Sequence, residues 1–308
     1  MTATAPRDVI VADIGGTNIR LARHTEGAGC EVFARLPTPA NDWERFGASL
    51  ADAIHPTVTP DSALSISIAG VVSPETGHVT AANIPCVNGR SLASDLQAVL
   101  GLPVAVTNDA DCAALAESRA GAGTGHAVVF CAILGTGVGG GLVVDGRLVR
   151  GAGGLTGEWG HAPIVNEALV QTGDGRSVRV PRLRCGCGQT GCLDTVGGAR
   201  GLERLHAFLH PGEQTSHQIL DSWRAGEPMA AATVRAYVEL VSGPLALVVN
   251  VTGASVVPVC GGLSGCAELI TALDVAVRGQ ILRRSDRVLV VPSTLNDQAG
   301  LIGAAFAL

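Results

Sequence analysis

Short apolar runs alternate along this chain with stretches whose apolar residues recur every three to four positions. Val9-Ile-Val-Ala-Asp13 is a buried strand that ends on a carboxylate, and Ile19 to Arg23 is a second strand beyond Gly15-Gly16-Thr17-Asn18. Ala63 to Ala69, Val104 to Asn108, Phe130 to Leu134 and Ser255 to Val259 read as further strands. Between them Trp43, Phe46, Leu50 and Ile54 repeat at helical spacing in a helix opened by Asn41. Leu92, Leu96 and Leu100 do the same in a helix capped by Ser91 and stopped by Gly101-Leu-Pro103. An alanine-rich helix through Arg119 follows Asn108-Asp109-Ala110-Asp111. Helical spacing then dominates Thr195 to Leu209, Ser216 to Ala225 and Pro228 to Gly253, the last interrupted by Gly243-Pro244, and Asn296 to Leu308 closes the chain as a small-residue helix packed back on the first lobe. The pattern predicts an α/β protein.

Within that pattern one arrangement repeats: strand, Gly/Thr turn, strand, at 9–23 and again at 128–144. The second turn reads Gly135-Thr136-Gly137-Val138-Gly139-Gly140-Gly141. Glycines in a tight turn leave backbone N–H groups uncovered, the geometry that cradles a phosphate; an ordinary hairpin is the alternative. Asp13 beside the first turn suits Mg²⁺ or its waters. Cys260-Gly261-Gly262-Leu263-Ser264 is a third glycine turn, able to take the flat face of a base or ribose. A duplicated phosphate hairpin, one per lobe, implies a nucleotide held across a cleft between related halves. Asp109, at or near a helix N-cap, is read either as that cap or as a catalytic base at the C-terminal end of a parallel strand.

Gly157-Glu158-Trp159-Gly160-His161 is followed by Cys185-Gly-Cys187-Gly-Gln-Thr-Gly-Cys192. One histidine and three cysteines match a closed tetrahedral zinc site in number and in chemistry. A disulfide with a leftover thiol, or plain buried thiols, are the alternatives. The zinc would be structural, holding Glu158 and His161 against whatever binds beside them.

Length and composition narrow the classes. At 308 residues, 47% hydrophobic and 16% charged, the chain has apolar material for two cores. A net charge of −6 without a Lys/Arg run argues against nucleic acid as an obligatory partner, and 3% aromatic residues is too few for a stacking platform. No signal peptide is read, and no window approaches the ~20 apolar residues of a membrane span. Nine cysteines, an odd count with Cys112, Cys131 and Cys260 in apolar surroundings, fit a reducing cytoplasm.

Four motifs, in order, carry a resemblance over nearly the whole chain: Asp13-Ile-Gly-Gly-Thr17, Leu134-Gly-Thr-Gly-Val-Gly-Gly-Gly141, Gly157-Glu-Trp-Gly-His161 and the cysteine stretch ending at Cys192. Together they resemble the ROK family of bacterial sugar kinases, repressors and open reading frames. Thr38-Pro39, Ala81-Ala-Asn-Ile-Pro85, Arg184-Cys-Gly-Cys-Gly-Gln189 and Gly300 to Phe306 are most similar to the members that act on N-acetyl-D-glucosamine. The resemblance implies an actin-like ATPase (ribonuclease H-like) fold of two lobes with a duplicated core and the active-site cleft between them. Residues 1–118 would form the smaller lobe, joined by the C-terminal helix from about 294 to 308, and 119–293 the larger lobe with the zinc loop.

What the resemblance implies for the site is ATP with Mg²⁺, and a structural Zn²⁺ on His161, Cys185, Cys187 and Cys192. Asp109 falls on the catalytic base. Gly70, Asn83, Asn108, Glu158, His161 and Asp194 fall at the sugar with it. Asp13, Gly15, Gly16, Thr17, Asn18, Gly135, Thr136, Gly137, Gly261 and Gly262 fall at ATP. A homodimer is implied as well. Two residues depart from the family pattern. Asn18 stands where many members have lysine, so a charge contact to phosphate is missing or supplied elsewhere. Asp194 stands where the family usually has a glutamate that reaches the sugar's hydroxyls, and is one methylene shorter. The family's repressors carry a helix-turn-helix ahead of the kinase-like fold, whereas the first strand here starts by about Val9. Phosphorylation of N-acetyl-D-glucosamine at its 6-hydroxyl is expected, with N-acetylmannosamine and glucose as alternatives.

Overall fold

The computed structural model describes residues 8–25, 29–163, 169–171, 177–284 and 286–308. The chain opens with three antiparallel strands, β1 (Asp8–Ile14), β2 (Asn18–Thr25) and β3 (Gly29–Pro37). Helix α1 (Trp43–Ile54) is capped by Asp42, one residue beyond the expected Asn41, because the Asp42 carboxylate accepts from Arg45 N. Next come β4 (Ser62–Ile68), a ribbon of β5 (Val71–Val72) and β6 (Val79–Thr80), α2 (Leu92–Leu100), β7 (Val104–Asn108) and α3 (Asp109–Ala120). The chain goes on through β8 (Val128–Leu134), β9 (Val138–Val144), β10 (Arg147–Leu148) and a second ribbon, β11 (Leu169–Gln171) with β12 (Ser177–Arg179). Helices α4 (Asp194–Gly197), α5 (Ala199–Leu209), α6 (Ser216–Arg224) and α7 (Pro228–Thr252) precede β13 (Val257–Cys260), α8 (Ala267–Gln280), β14 (Val290–Pro292) and α9 (Ala299–Phe306).

These elements sort into two compact units, one of Met1–Gly121, Gly146–Thr156 and Leu295–Leu308, the other of Ala122–Asp145 and Gly157–Thr294. The segment Gly146–Thr156 thus belongs with the first unit, although it lies inside the range 119–293. Its backbone is fitted there: Gly153 N donates to Glu75, and a side chain on Gly154 would strike the Val72 carbonyl.

In the first unit the strand order is β3-β2-β1-β4-β7, with β1, β4 and β7 parallel. One face of this sheet packs Ile10, Ile14, Leu64, Ile66 and Ile68 with Phe46, Leu50 and Leu96 from α1 and α2. On the other, Val11 and Ala22 meet Cys112 of α3 and Leu301 and Ala304 of α9. The two helices cross so closely that Gly303 has no room for a Cβ against the Cys112 carbonyl.

The second unit's sheet runs β9-β8-β13-β14, again an antiparallel hairpin followed by parallel strands. Topology therefore repeats together with the sequence pattern. Two helices differ from expectation. The single helix read from Thr195 is broken at Gly198, which is extended (φ −91°, ψ −178°) because it backs onto Gly137 with no space for a Cβ. Conversely, α7 runs unbroken through Pro244: Tyr237, Leu240 and Val241 before it and Leu245, Ala246 and Val249 after it are all buried, and that packing outweighs the lost hydrogen bond. By length and composition α7 could also cross a membrane, where no such window was expected; 61% of its apolar window is buried within the protein, as in a core helix.

Candidate active site

The first glycine turn closes on itself through Gly15 N, which donates to Asn18 O at 3.0 Å. It is strapped by the residue after β3, since Thr38 N donates to Thr17 O and Thr38 Oγ1 to Gly15 O at 2.7 Å. A Cβ on Gly16 would fall 2.7 Å from the Cβ of Asn83, so the absent side chain is what lets Asn83 lie against the turn. Gly70 is held by Asn108, whose Nδ2 donates to the Gly70 carbonyl at 2.9 Å. Gly70, Asn108, Asp109 and the turn thus gather at the C-terminal ends of β1, β4 and β7, the edge at which parallel sheets bind ligands.

A cavity of about 560 Å³ opens there, and its lining joins Asp109 to Gly15, Gly16, Thr17 and Asn18, to Asp13 and to two arginines, Arg20 and Arg35. The helix cap is Asn108: its Oδ1 accepts from Ala110 N at 2.9 Å and Asp111 N at 3.2 Å. That frees Asp109 from the capping role. Asp109 Oδ1 accepts from Ala110 N and from Asn108 Nδ2, while Oδ2 has no protein partner among the described residues. Although the carboxylate meets solvent through the cavity mouth, the surrounding protein desolvates it, and with the charge of Asp13 nearby this raises its pKa to about 6. Asp13 is engaged on both oxygens, Oδ1 by Ser67 at 3.0 Å and Oδ2 by Arg20 at 2.6 Å. Arg20 also bonds the side chain and the carbonyl of Asp297.

The second glycine turn is shorter than its sequence suggests. Only Gly135-Thr136-Gly137 turns, with Gly135 N donating to Gly137 O at 3.0 Å, while Gly139, Gly140 and Gly141 pair inside the hairpin with Ile133, Ala132 and Cys131. At Gly140 the missing side chain makes room for the Gly157–His161 loop, since a Cβ there would meet the Phe130 and Trp159 rings, and Trp159 Nε1 donates to Gly139 O at 2.6 Å. The third turn lies against the second, for Gly261 (φ 92°) abuts Leu134 and Gly135. Gly135, Gly137, Gly261 and Gly262 are therefore neighbours.

In the same unit the donor atoms of His161, Cys185, Cys187 and Cys192 all lie within 4.8 Å of one another. Sγ of Cys187 and Cys192 are 3.6 Å apart, as are Cys185 Sγ and His161 Nδ1. A tetrahedral zinc site with arms of roughly 2.0–2.3 Å has edges of roughly 3.3–3.8 Å, so the four residues fit the ion. Burial raises the Cys185 thiol to about 12 and also raises Cys192, while the Gln189 N–H lowers Cys187 to about 7. A bound Zn²⁺ would displace the thiol protons and hold all three sulfurs as thiolates. His161 Nε2 faces Glu158 Oε2 at 3.6 Å, on the side away from the sulfurs.

Asp194 is turned inward. Its Oδ1 accepts from Val138 N at 2.8 Å, its Oδ2 lies 3.7 Å from Cys185 Sγ, and its backbone N donates to Gly160 O. A side chain on Gly137 would collide with Asp194 Oδ1. The short carboxylate braces the second turn to the cysteine loop. Arg20 and Arg35 were not singled out from sequence, because neither lies in a motif and only the pairing of β1, β2 and β3 aligns them with Asp13.

A family model described as ROK family matches residues 9–308. The chain belongs to the ROK family. It is 34% identical over 272 residues to the N-acetylgalactosamine kinase AgaK of Shewanella sp. (strain ANA-3), covering 87% of this chain and 86% of the relative. With the N-acetyl-D-glucosamine kinase of Citrobacter koseri it shares 32% identity over 297 residues, 96% of this chain and 97% of the relative. Among solved structures, the ROK glucokinase of Streptomyces griseus in complex with glucose and AMPPNP superposes with a TM-score of 0.77 at 29% identity, covering 97% and 98% of the two chains. The ROK fold here is the actin-like ATPase fold, mixed α/β with a duplicated sheet.

Proposed function

We propose that this ROK protein is an ATP-dependent sugar kinase that phosphorylates the primary hydroxyl of an N-acetylhexosamine, with N-acetyl-D-glucosamine as the first choice. The observation that carries the reading is Asp109, whose unpartnered oxygen and raised pKa share a cavity with the Gly15–Thr17 turn. In this reading Asp109 accepts the hydroxyl proton as the sugar oxygen attacks the γ-phosphorus, and turn N–H groups hold the phosphate oxygens as charge shifts to the leaving ADP. Mg²⁺ bound with ATP would offset charge on the phosphates. Asn108, Gly70 and Asn83 would border the sugar, and Glu158 would orient His161 and meet a sugar hydroxyl. A zinc ion on His161, Cys185, Cys187 and Cys192 would hold that loop in shape. The protein would act in the cytoplasm as a homodimer; light scattering that gives 31 kDa for the particle would remove the dimer.

The AgaK relative favours N-acetylgalactosamine as a second reading. The two sugars differ only in the direction of one hydroxyl, a difference of roughly 1–3 kcal/mol in a site built to bond it. The deciding experiment is kcat/KM with ATP for N-acetylglucosamine, N-acetylgalactosamine, N-acetylmannosamine and glucose, each as sole acceptor. N-acetylglucosamine should lead by tenfold or more. A lead for another sugar moves the substrate and leaves the kinase standing, whereas turnover of none sinks both.

A further inference from the structure

The residue after Gly-Gly-Thr in the first turn, Asn18, is neutral, so the turn itself brings no positive side chain to a phosphate. Yet the cavity that this turn shares with Asp109 is not short of arginine. Pairing of the strands sets Asp13 opposite Arg20, and Arg20 opposite Arg35, so the three side chains form one row across β1, β2 and β3. The two arginines differ in what they are free to do. Arg20 is committed to Asp13 at 2.6 Å and to Asp297 at 3.0 Å, and the positive charge is spent on carboxylates. Arg35 is exposed and lines the cavity, and its guanidinium makes neither a hydrogen bond nor an ion pair to protein among the described residues.

Charge inside the cavity makes that freedom matter. Asp13 and Arg20 cancel, and Asp109 adds a negative charge once ionised, so a polyphosphate entering here meets no other uncommitted cation in the lining. The phosphate beside Asp109 has to be the one transferred, because the hydroxyl that Asp109 deprotonates attacks it directly. We infer that Arg35 binds the terminal phosphate of ATP, supplying from β3 the charge contact that Asn18 does not. A guanidinium suits the task, since its fork of N–H donors can take two phosphate oxygens at once. Its place on a strand strapped to the turn by Thr38 sets it at a fixed distance from the phosphate amides. This inference rests on the kinase reading above.

The test compares a non-hydrolysable ATP analogue (β,γ-imido) with ADP, both with Mg²⁺, by calorimetry on the full-length protein, alongside kinetics. Arg35→Ala should weaken the analogue about 10- to 100-fold, the range of a hydrogen bond to a charged group, and lower kcat/KM for ATP by a similar factor. Affinity for ADP and KM for the sugar should stay within about twofold. Arg35→Lys should keep part of the affinity. Adding Asn18→Lys to Arg35→Ala should recover about fivefold or more, because the new ammonium would reach the same phosphate from the turn; a structural role for Arg35 would give no such rescue. Equal losses for ADP and the analogue, an unchanged analogue affinity, or no recovery with Asn18→Lys would overturn the inference. A wild-type protein that phosphorylates no sugar would instead count against the kinase reading, and one that works normally beside an unaffected Arg35→Ala variant counts against Arg35 alone.

Discussion

Two glycine turns built on the same hairpin plan have come to different surroundings. Around Gly15–Thr17 stand charged side chains: Asp13, Arg20, Arg35 and Asp109 all line one cavity. Around Gly135–Gly137 stand mainly backbone and small residues, with Gly261, Gly198 and the inward carboxylate of Asp194 packed against it. On the proposed reading the first turn has the groups for moving a proton and a phosphoryl group, and the second would hold its ligand through backbone amides. A duplicated scaffold can divide its labour in this way because phosphate binding by a turn is a property of its backbone, leaving side chains free to diverge.

The sharpest way to break that comparison is at Asp109. Asp109→Asn should lower kcat by about 10²–10⁴-fold or more while sugar binding is retained, since an amide still hydrogen-bonds but takes no proton. The base must be ionised to work, so wild-type kcat should halve near pH 6 and fall about tenfold per unit below it, following the raised pKa. An acid limb near pH 4, or a fully active Asp109→Asn variant, would return Asp109 to a structural role.

A smaller effect is expected at the cysteine cluster. Metal analysis should find one zinc per chain, and Cys187→Ser should release it and cost about 10–100-fold in activity. Zinc-free protein with full activity would remove the metal from the account.

Next in size is Asp194. With Ala in its place the bond to Val138 N is lost, and stability should drop by about 1–3 kcal/mol in denaturant unfolding. KM should rise for ATP more than for sugar, because the brace serves the second turn. A rise confined to the sugar would show that Asp194 reaches the substrate after all. The least effect should come from Gly262→Ala: nothing lies within 4 Å of the added methyl, so stability should stay within about 0.5 kcal/mol. Gly261→Ala, by contrast, needs φ 92° and meets the Gly135 amide, so it should disturb both turns.

Much of the site was legible because its chemistry is local. Consecutive residues make a glycine turn, and a few closely spaced cysteines make a cluster of metal-ligand type, so Gly15–Thr17 and Cys185–Cys192 announce themselves in the chain. What needed the structure depends on register or on direction. Arg35 looks like one more polar position on an edge strand until pairing lines it up with Asp13. Asp194 looks like a shortened glutamate until Val138 N shows where it points. Asp109 reads as a helix cap or a base with equal ease, and only the hydrogen bonds show that its neighbour Asn108 caps the helix. Gly139, Gly140 and Gly141 read as loop although they pair in a strand, where Gly140 leaves space for a tryptophan 19 residues onward.

Helix α9 carries a consequence for how the protein is made. It completes the packing of β1 and α3, elements that both precede the second unit in the chain, through Leu301 and Ala304 beside Val11 and Cys112. On the ribosome those partners emerge early and must wait, one apolar face uncovered, while the whole second unit is synthesised and can fold as a body of its own. The unit that is begun first is finished last. During that interval the uncovered face of β1 and β4 is where a chaperone would be needed and where aggregation would start.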